Sequence, residues 1–205
     1  RRARELRPFV SVEGFDGEAV DALRKDGLIE LSEETSSLAA PSHDVLEDWA
    51  LMRWLDDTYA LSEHDPQALV AALSPHPAIR RSVRKWLGDL LMRHPDRGDR
   101  LVVHAVNSSD IPAYLRDDAL AATLLSDSAA AFLERNSAAL LRNDAEVLIR
   151  AIHLLRVVAK SPSPWLPRSI SDGFLVASGP AWPAMVKFVN QHLKTILPRH
   201  VPLLV

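Results

Sequence analysis

Eight histidines are the side chains of this 205-residue sequence best suited to chemistry near neutral pH. Three of them stand beside or near an aspartate, as His43-Asp44, His64-Asp65 and His94-Pro95-Asp96. A hydrolytic metal centre combines neutral imidazole with carboxylate, so a His-Asp dyad with further ligands would suit one. The spacing argues against it. Asp65 and Asp96 occupy positions where helix N-caps belong, and no His-x-x-x-His or His-Glu-x-x-His pattern occurs. No metal ligand is expected.

Nucleophiles have no recognisable setting either. The sequence has no cysteine, no Gly-x-Ser-x-Gly elbow, no Gly-x-x-x-x-Gly-Lys-Ser/Thr loop and no Gly-x-Gly-x-x-Gly. The carboxylate pairs Asp56-Asp57 and Asp117-Asp118 fall on helical patterns where they read as solvated charge rather than an acid and base. A basic run, Arg80-Arg81-Ser82-Val83-Arg84-Lys85, reads as a solvated helix face opposite Ile79, Val83, Trp86 and Leu90. No catalytic residue is expected, and the segment itself is not expected to be an enzyme.

The elements that would position these residues are mostly helices. Hydrophobic residues make up 47% and charged residues 25%, with a net charge of −3, which excludes a disordered chain and disfavours a phosphate-binding surface. The absence of cysteine fits a reducing cytoplasm. No apolar run approaches the ~20 residues that span a bilayer, so no membrane partner is expected. The start at Arg1-Arg2-Ala3-Arg4 and the apolar end at Val201-Pro202-Leu203-Leu204-Val205 read as cuts in a longer polypeptide.

Residues 17–26 carry Ala19, Val20 and Leu23 at helical spacing, and Gly27 stands where a left-handed C-cap is wanted. Leu28–Leu31 and Leu38–Ala40 read as strands joined by a polar turn. Helix, strand, turn, strand is the back half of a winged helix with the hairpin as its wing. After Pro41 the pattern is helical: 43–59 with Ser42 as N-cap, 65–73, a helix from Pro77 to before Pro95, 97–106, 111–125, 128–141, 145–159 and 183–196. Asp110, Asp127 and Asp144 are expected to cap three of these. Their 17-residue spacing gives a two-helix period of about 34–40, in the range of helical solenoid repeats. Ser161-Pro162-Ser163-Pro164 is a break.

The segment Pro41-Ser42-His43-Asp44-Val45-Leu46-Glu47-Asp48-Trp49-Ala50 sets a His-Asp pair between the wing and a long amphipathic helix. It resembles the His-Asp element that closes the winged-helix domain of STAND-class signalling NTPases, the group of plant NB-ARC, NACHT and bacterial antiphage proteins. The plant element reads Met-His-Asp followed by Leu-Leu-x-Asp-Leu-Ala. The match is at His43, Asp44, Leu46, Asp48 and Ala50, with Ser42 in place of Met. Ala22-Leu23-x-x-x-Gly27-Leu28-Ile29 is similar to the family's third winged-helix helix running into its first wing strand. The close match spans about 30 of the 205 residues.

The resemblance implies that His43 senses the β-phosphate of bound ADP and that Asp44 orients or caps it. An imidazole N–H at a helix N-terminus suits a phosphate. It further implies ADP or ATP in the full-length protein, with no cofactor held by this segment alone. An upstream nucleotide-binding domain of the same chain, a protein ligand on the helical array, and oligomerisation on activation are its implied partners.

The expected fold is therefore mainly α: a partial winged helix with a β-hairpin wing, then an antiparallel helical array of HEAT/TPR-like solenoid type. The expected divisions are 1–61 (winged helix and linking helix), 62–160 (helical array) and 161–205 (further helices). The expected function is a cytoplasmic regulatory segment of a STAND NTPase in signalling or antiviral defence. A helical-repeat scaffold without nucleotide linkage and a winged-helix DNA binder are the alternatives. Helix 17–26 sets Glu18, Asp21 and Asp26 against Arg24 and Lys25, so it is net acidic and argues against nucleic acid.

Overall fold

Gly27 ends the first helix as its position in the sequence requires. Its φ is +69°, a region closed to most side chains, and the turn it makes satisfies the carbonyls left open at the helix end. The Leu28 N–H donates to the Leu23 carbonyl at 2.9 Å and the Gly27 N–H to that of Arg24 at 3.0 Å, the paired bonds of a Schellman cap. In this computed structural model, which describes residues 8–163, 165–167 and 175–196, the chain is mainly helical with a small antiparallel sheet. It divides into two compact units, residues 1–86 and 87–205.

The first unit opens with β1 (Val10–Ser11), α1 (Gly17–Lys25), β2 (Ile29–Leu31) and β3 (Leu38–Pro41). Asp16 caps α1 by accepting from the Glu18 N–H at 2.9 Å. The strands form one antiparallel sheet in the order β1-β3-β2, with Ala39 opposite both Val10 and Leu31. Ala39 and Ala40 of the central strand are buried. The sheet leads directly into α2 (Asp44–Leu61), which buries Leu51, Leu55 and Tyr59 at four-residue intervals. Full burial of a leucine such as Leu55 contributes about 2 kcal/mol. Asp65 caps α3 (Pro66–Ala72), accepting from the N–H groups of Gln67 and Ala68, with Pro66 at the first helical position. The boundary between the units falls inside α4 (Pro77–Arg93), between Trp86 and Leu87.

The second unit continues with α5 (Pro95–Asn107), α6 (Ala113–Leu125), α7 (Ala129–Arg135), α8 (Ser137–Leu140), α9 (Arg142–Val158) and α10 (Ala181–His192). α6 packs against both α5 and α9, and α10 against α7. Gly98 lets α5 approach the end of α4 closely: a Cβ there would lie 2.8 Å from Leu91 Cδ2 and 3.0 Å from its Cα. β4 (Lys160–Pro162) and β5 (Leu175–Ala177) form a second antiparallel pair.

Several helix boundaries differ from the sequence expectation. α2 has His43 rather than Ser42 at its N-cap, and the His43 side chain makes no capping hydrogen bond. Asp96 lies inside α5, whose N-cap is His94. Asp110 and Asp127 cap nothing, because α6 starts after Pro112 and α7 after Ser128. The buried Ile111 and Ala129 show why: packing sets the starts of these helices, and a cap preference of ~1 kcal/mol does not override it.

Asp144 lies in a left-handed turn, Asn143–Ala145, with φ of 49°, 58° and 61°. Such residues cost roughly 1–2 kcal/mol each when they carry a side chain. The expected helix 128–141 is broken at Asn136, whose side-chain amide donates to the Phe132 carbonyl at 3.1 Å and to Asp99 at 2.8 Å. The expected break at 161–164 overlaps strand β4, and Pro164 lies outside the described residues; the expected helix 183–196 is found as Ala181–His192, and residues 193–196 follow as turns.

Candidate functional site

The element that follows the sheet carries the residues singled out by sequence. β3 ends at Pro41, the Ser42 N–H donates to the Leu28 carbonyl at 3.1 Å, and His43 then caps α2 with extended backbone, φ −137° and ψ 140°. The His43 carbonyl accepts from Leu46 and Glu47, while its imidazole is exposed to solvent. The His43 backbone is thus fixed at the positive end of an 18-residue helix, where an anion would meet an imidazole donor and the helix field together.

Asp44 is the first helical residue, and its carboxylate is also exposed. Among the described residues no hydrogen bond joins it to His43. Its nearest cation is Arg81, with Nη1 at 3.9 Å. The structure therefore brings His43 and Asp44 to one helix end without coupling the two side chains.

One turn further along, Asp48 is buried at 4% exposure and meets three donors on α4. Arg81 Nε donates to Oδ1 at 2.7 Å, Ser82 Oγ to the same oxygen at 3.2 Å, and Lys85 Nζ to Oδ2 at 2.5 Å. Burial alone would raise the carboxyl's pKa, but the hydrogen bonds from Lys85 and Arg81 outweigh it and hold Asp48 below its ordinary value. The same bond to Asp48 raises Arg81. The sequence reading of 80–85 as a solvated face holds for Arg84 and Lys85, which are exposed, and is corrected at Arg81 and Ser82. Arg81 and Lys85 are committed to Asp48, and Ser82 is fully buried.

The carboxylate pairs are corrected in part: Asp57 is exposed, as expected, whereas Asp56 and Asp117 are half-buried and Asp118 is buried. Asp56 accepts from Trp86 Nε1 at 2.6 Å and Asp57 from Arg53 at 3.2 Å. Asp117 takes a two-pronged contact from Arg150 at 2.8 and 2.5 Å, and Asp118 is buried at 2% exposure. Asp99, which the sequence reading passed over, holds Arg135 at 2.7 and 3.0 Å. The Arg135 and Arg150 guanidiniums are both raised by these bonds.

His64 has φ of 63° and packs edge-on against Tyr59, ring centroids 5.1 Å apart, so it closes the end of α2. Among the described residues no group of three or more His, Cys, Asp or Glu is placed to hold a metal ion. Among them, too, no helix is long and apolar enough to cross a membrane.

Asp48 was legible only as one letter of the His-Asp element. Its donors lie 33–37 residues away, and no local pattern announces them. Set against known proteins, the chain matches no protein family, and no curated protein matches it.

Proposed function

We propose that this chain is a regulatory segment of a STAND-type NTPase, in which the sheet and α2 couple nucleotide state to the helices that follow. The observation that carries the reading is the placement of His43. A hairpin strand runs straight into an exposed, solvent-facing imidazole at the N-terminus of a long helix. The sheet order β1-β3-β2, with α1 between the outer strands, supports the winged-helix part of the proposal.

Asp48 supplies the mechanical half. Its bonds to α4 mean that a force on the His43 end of α2 is passed to the next long helix rather than lost in a hinge. A ligand contact at His43 would then bias a two-state arrangement of an upstream nucleotide-binding domain, with ADP or ATP bound there. His43 acts on the phosphate, and Asp44 sets the local charge. The hydrolytic machinery belongs to that upstream domain, and the present segment is not itself an enzyme. Cytoplasmic signalling or antiviral defence, and oligomerisation on activation, are parts of the same proposal.

The helices from α3 onward are proposed to begin a HEAT/TPR-like partner-binding array. Supporting this, two ion pairs within it join residues 33–36 positions apart: Asp99 with Arg135 and Asp117 with Arg150. That separation is one helix pair of the period read from the sequence.

Calorimetric titration of the full-length protein with ADP tests the proposal, wild type against His43→Ala. Loss of a charge-assisted hydrogen bond should weaken ADP by about 1.5–3 kcal/mol, roughly ten- to a hundredfold. Unchanged affinity, or no binding by the wild type, reduces His43 to a helix-end residue and leaves a helical scaffold without nucleotide linkage.

A further inference from the structure

The second unit contains a cleft of about 640 Å³, walled by the end of α5, the first two turns of α6 and the first half of α9. That volume lies in the range of small-molecule sites. Val106, Leu120 and Val147 supply apolar wall, and Asn107, Ser108, Asn143 and the exposed carboxylate of Glu146 supply polar lining. The two arginines that line it stand in different states. Arg150 is clamped by Asp117, which neutralises it and fixes one wall. Arg116, one residue before Asp117 and half-buried, has no carboxylate partner among the described residues.

The lining includes Asn143, the first residue of the left-handed turn Asn143–Ala145. Three successive side-chain-bearing residues in that region persist only where the surroundings hold them, and such turns collect at ligand clamps. The turn also delivers α9 so that Val147, Arg150 and His153 face one cleft.

We propose that this cleft binds a small organic or inorganic anion, a carboxylate or a phosphate, with Arg116 as the residue that recognises its charge. A planar guanidinium already half out of water loses little hydration on meeting an anion and can grip two of its oxygens at once. The Asp117–Arg150 pair positions the wall without competing for the ligand, since its charges are already matched. The site is independent of the nucleotide reading of His43.

The test is a titration of the ¹⁵N-labelled chain, at constant ionic strength, with inorganic phosphate and separately with glutarate. Saturable shifts should be confined to the amides of residues 106–109, 113–120 and 143–153. The probe giving the tighter curve identifies phosphate or carboxylate as the natural headgroup. Arg116→Gln should weaken that curve about tenfold or more, and Arg116→Lys less, because the ammonium keeps the charge and loses the fork. Arg116→Gln should keep the wild-type melting temperature, as Arg116 joins no ion pair among the described residues. Shifts that do not saturate, that spread over arginines throughout the chain, or that survive Arg116→Gln would overturn the proposal. The wild-type map decides by itself if that variant folds poorly.

Discussion

Asp48 in the first unit and Asp117 in the second are both held by arginine across two helices, yet they stand in opposite surroundings. The Asp48 side chain is 5% exposed and takes bonds from Arg81, Ser82 and Lys85. The Asp117 side chain is 25% exposed and among the described residues has one partner, Arg150, in a two-pronged contact. By geometry alone Asp117 has the better pair. Burial reverses the ranking, because a charge withdrawn from water depends on its partners and a charge beside water does not. The first pair is a lock between α2 and α4. The second is a fitting on the wall of a cleft.

The largest effect should come from removing the buried carboxylate. Asp48→Ala leaves the Ser82 hydroxyl, the Arg81 guanidinium and the Lys85 ammonium without their common acceptor. Arg81 and Lys85 remain 34% and 54% exposed, and water compensates them in part. Urea unfolding should therefore show a loss of about 2–3 kcal/mol, below the full value for a wholly buried pair. A loss under ~0.5 kcal/mol would make Asp48 an ordinary surface charge.

The same residue should give the first unit an acid-sensitive stability. The Asp48 pKa in the folded protein is below the ordinary value of 3.8 that it regains on unfolding. A lowered carboxyl contributes stability that is fully present above the unfolded value and is lost as pH falls through the folded one. The stability difference between wild type and Asp48→Asn should be constant from pH 7 to about 5 and shrink below about 4. A difference independent of pH down to 2.5 would mean that the carboxylate charge adds nothing.

These locks also show what the sequence could reveal. The hairpin, the glycine cap at Gly27 and the helices up to Pro77 follow from neighbours within a few positions, and alternation, turn chemistry and capping suffice for them. The break at Asn136 and the β4–β5 pair depend on distant partners, and no local pattern announces the left-handed turn at Asn143–Ala145. Asn136 looks like a helical residue until Asp99 is known to stand across from it. At the candidate site, His43 and Asp44 were legible because an N-terminal helix position is a local property. Asp48's burial was not, since Arg81 and Lys85 read equally well as a solvated stripe. Charge patterns along one helix do not say which face a second helix will cover.

The smallest effect should come from the exposed pair, and it sharpens the contrast. Asp117→Ala breaks a well-formed fork, yet Arg150 is 55% exposed and water replaces the lost bonds. Stability should fall by no more than about 1 kcal/mol, and added salt should shrink even that. The substitution should still matter to the cleft. It frees Arg150 as a second unmatched cation next to Arg116, so phosphate or glutarate should bind more tightly than to wild type while the urea midpoint hardly moves. If Asp117→Ala instead destabilises as much as Asp48→Ala, geometry outranks burial in this fold, and the Asp117–Arg150 pair is a second lock rather than part of a binding wall.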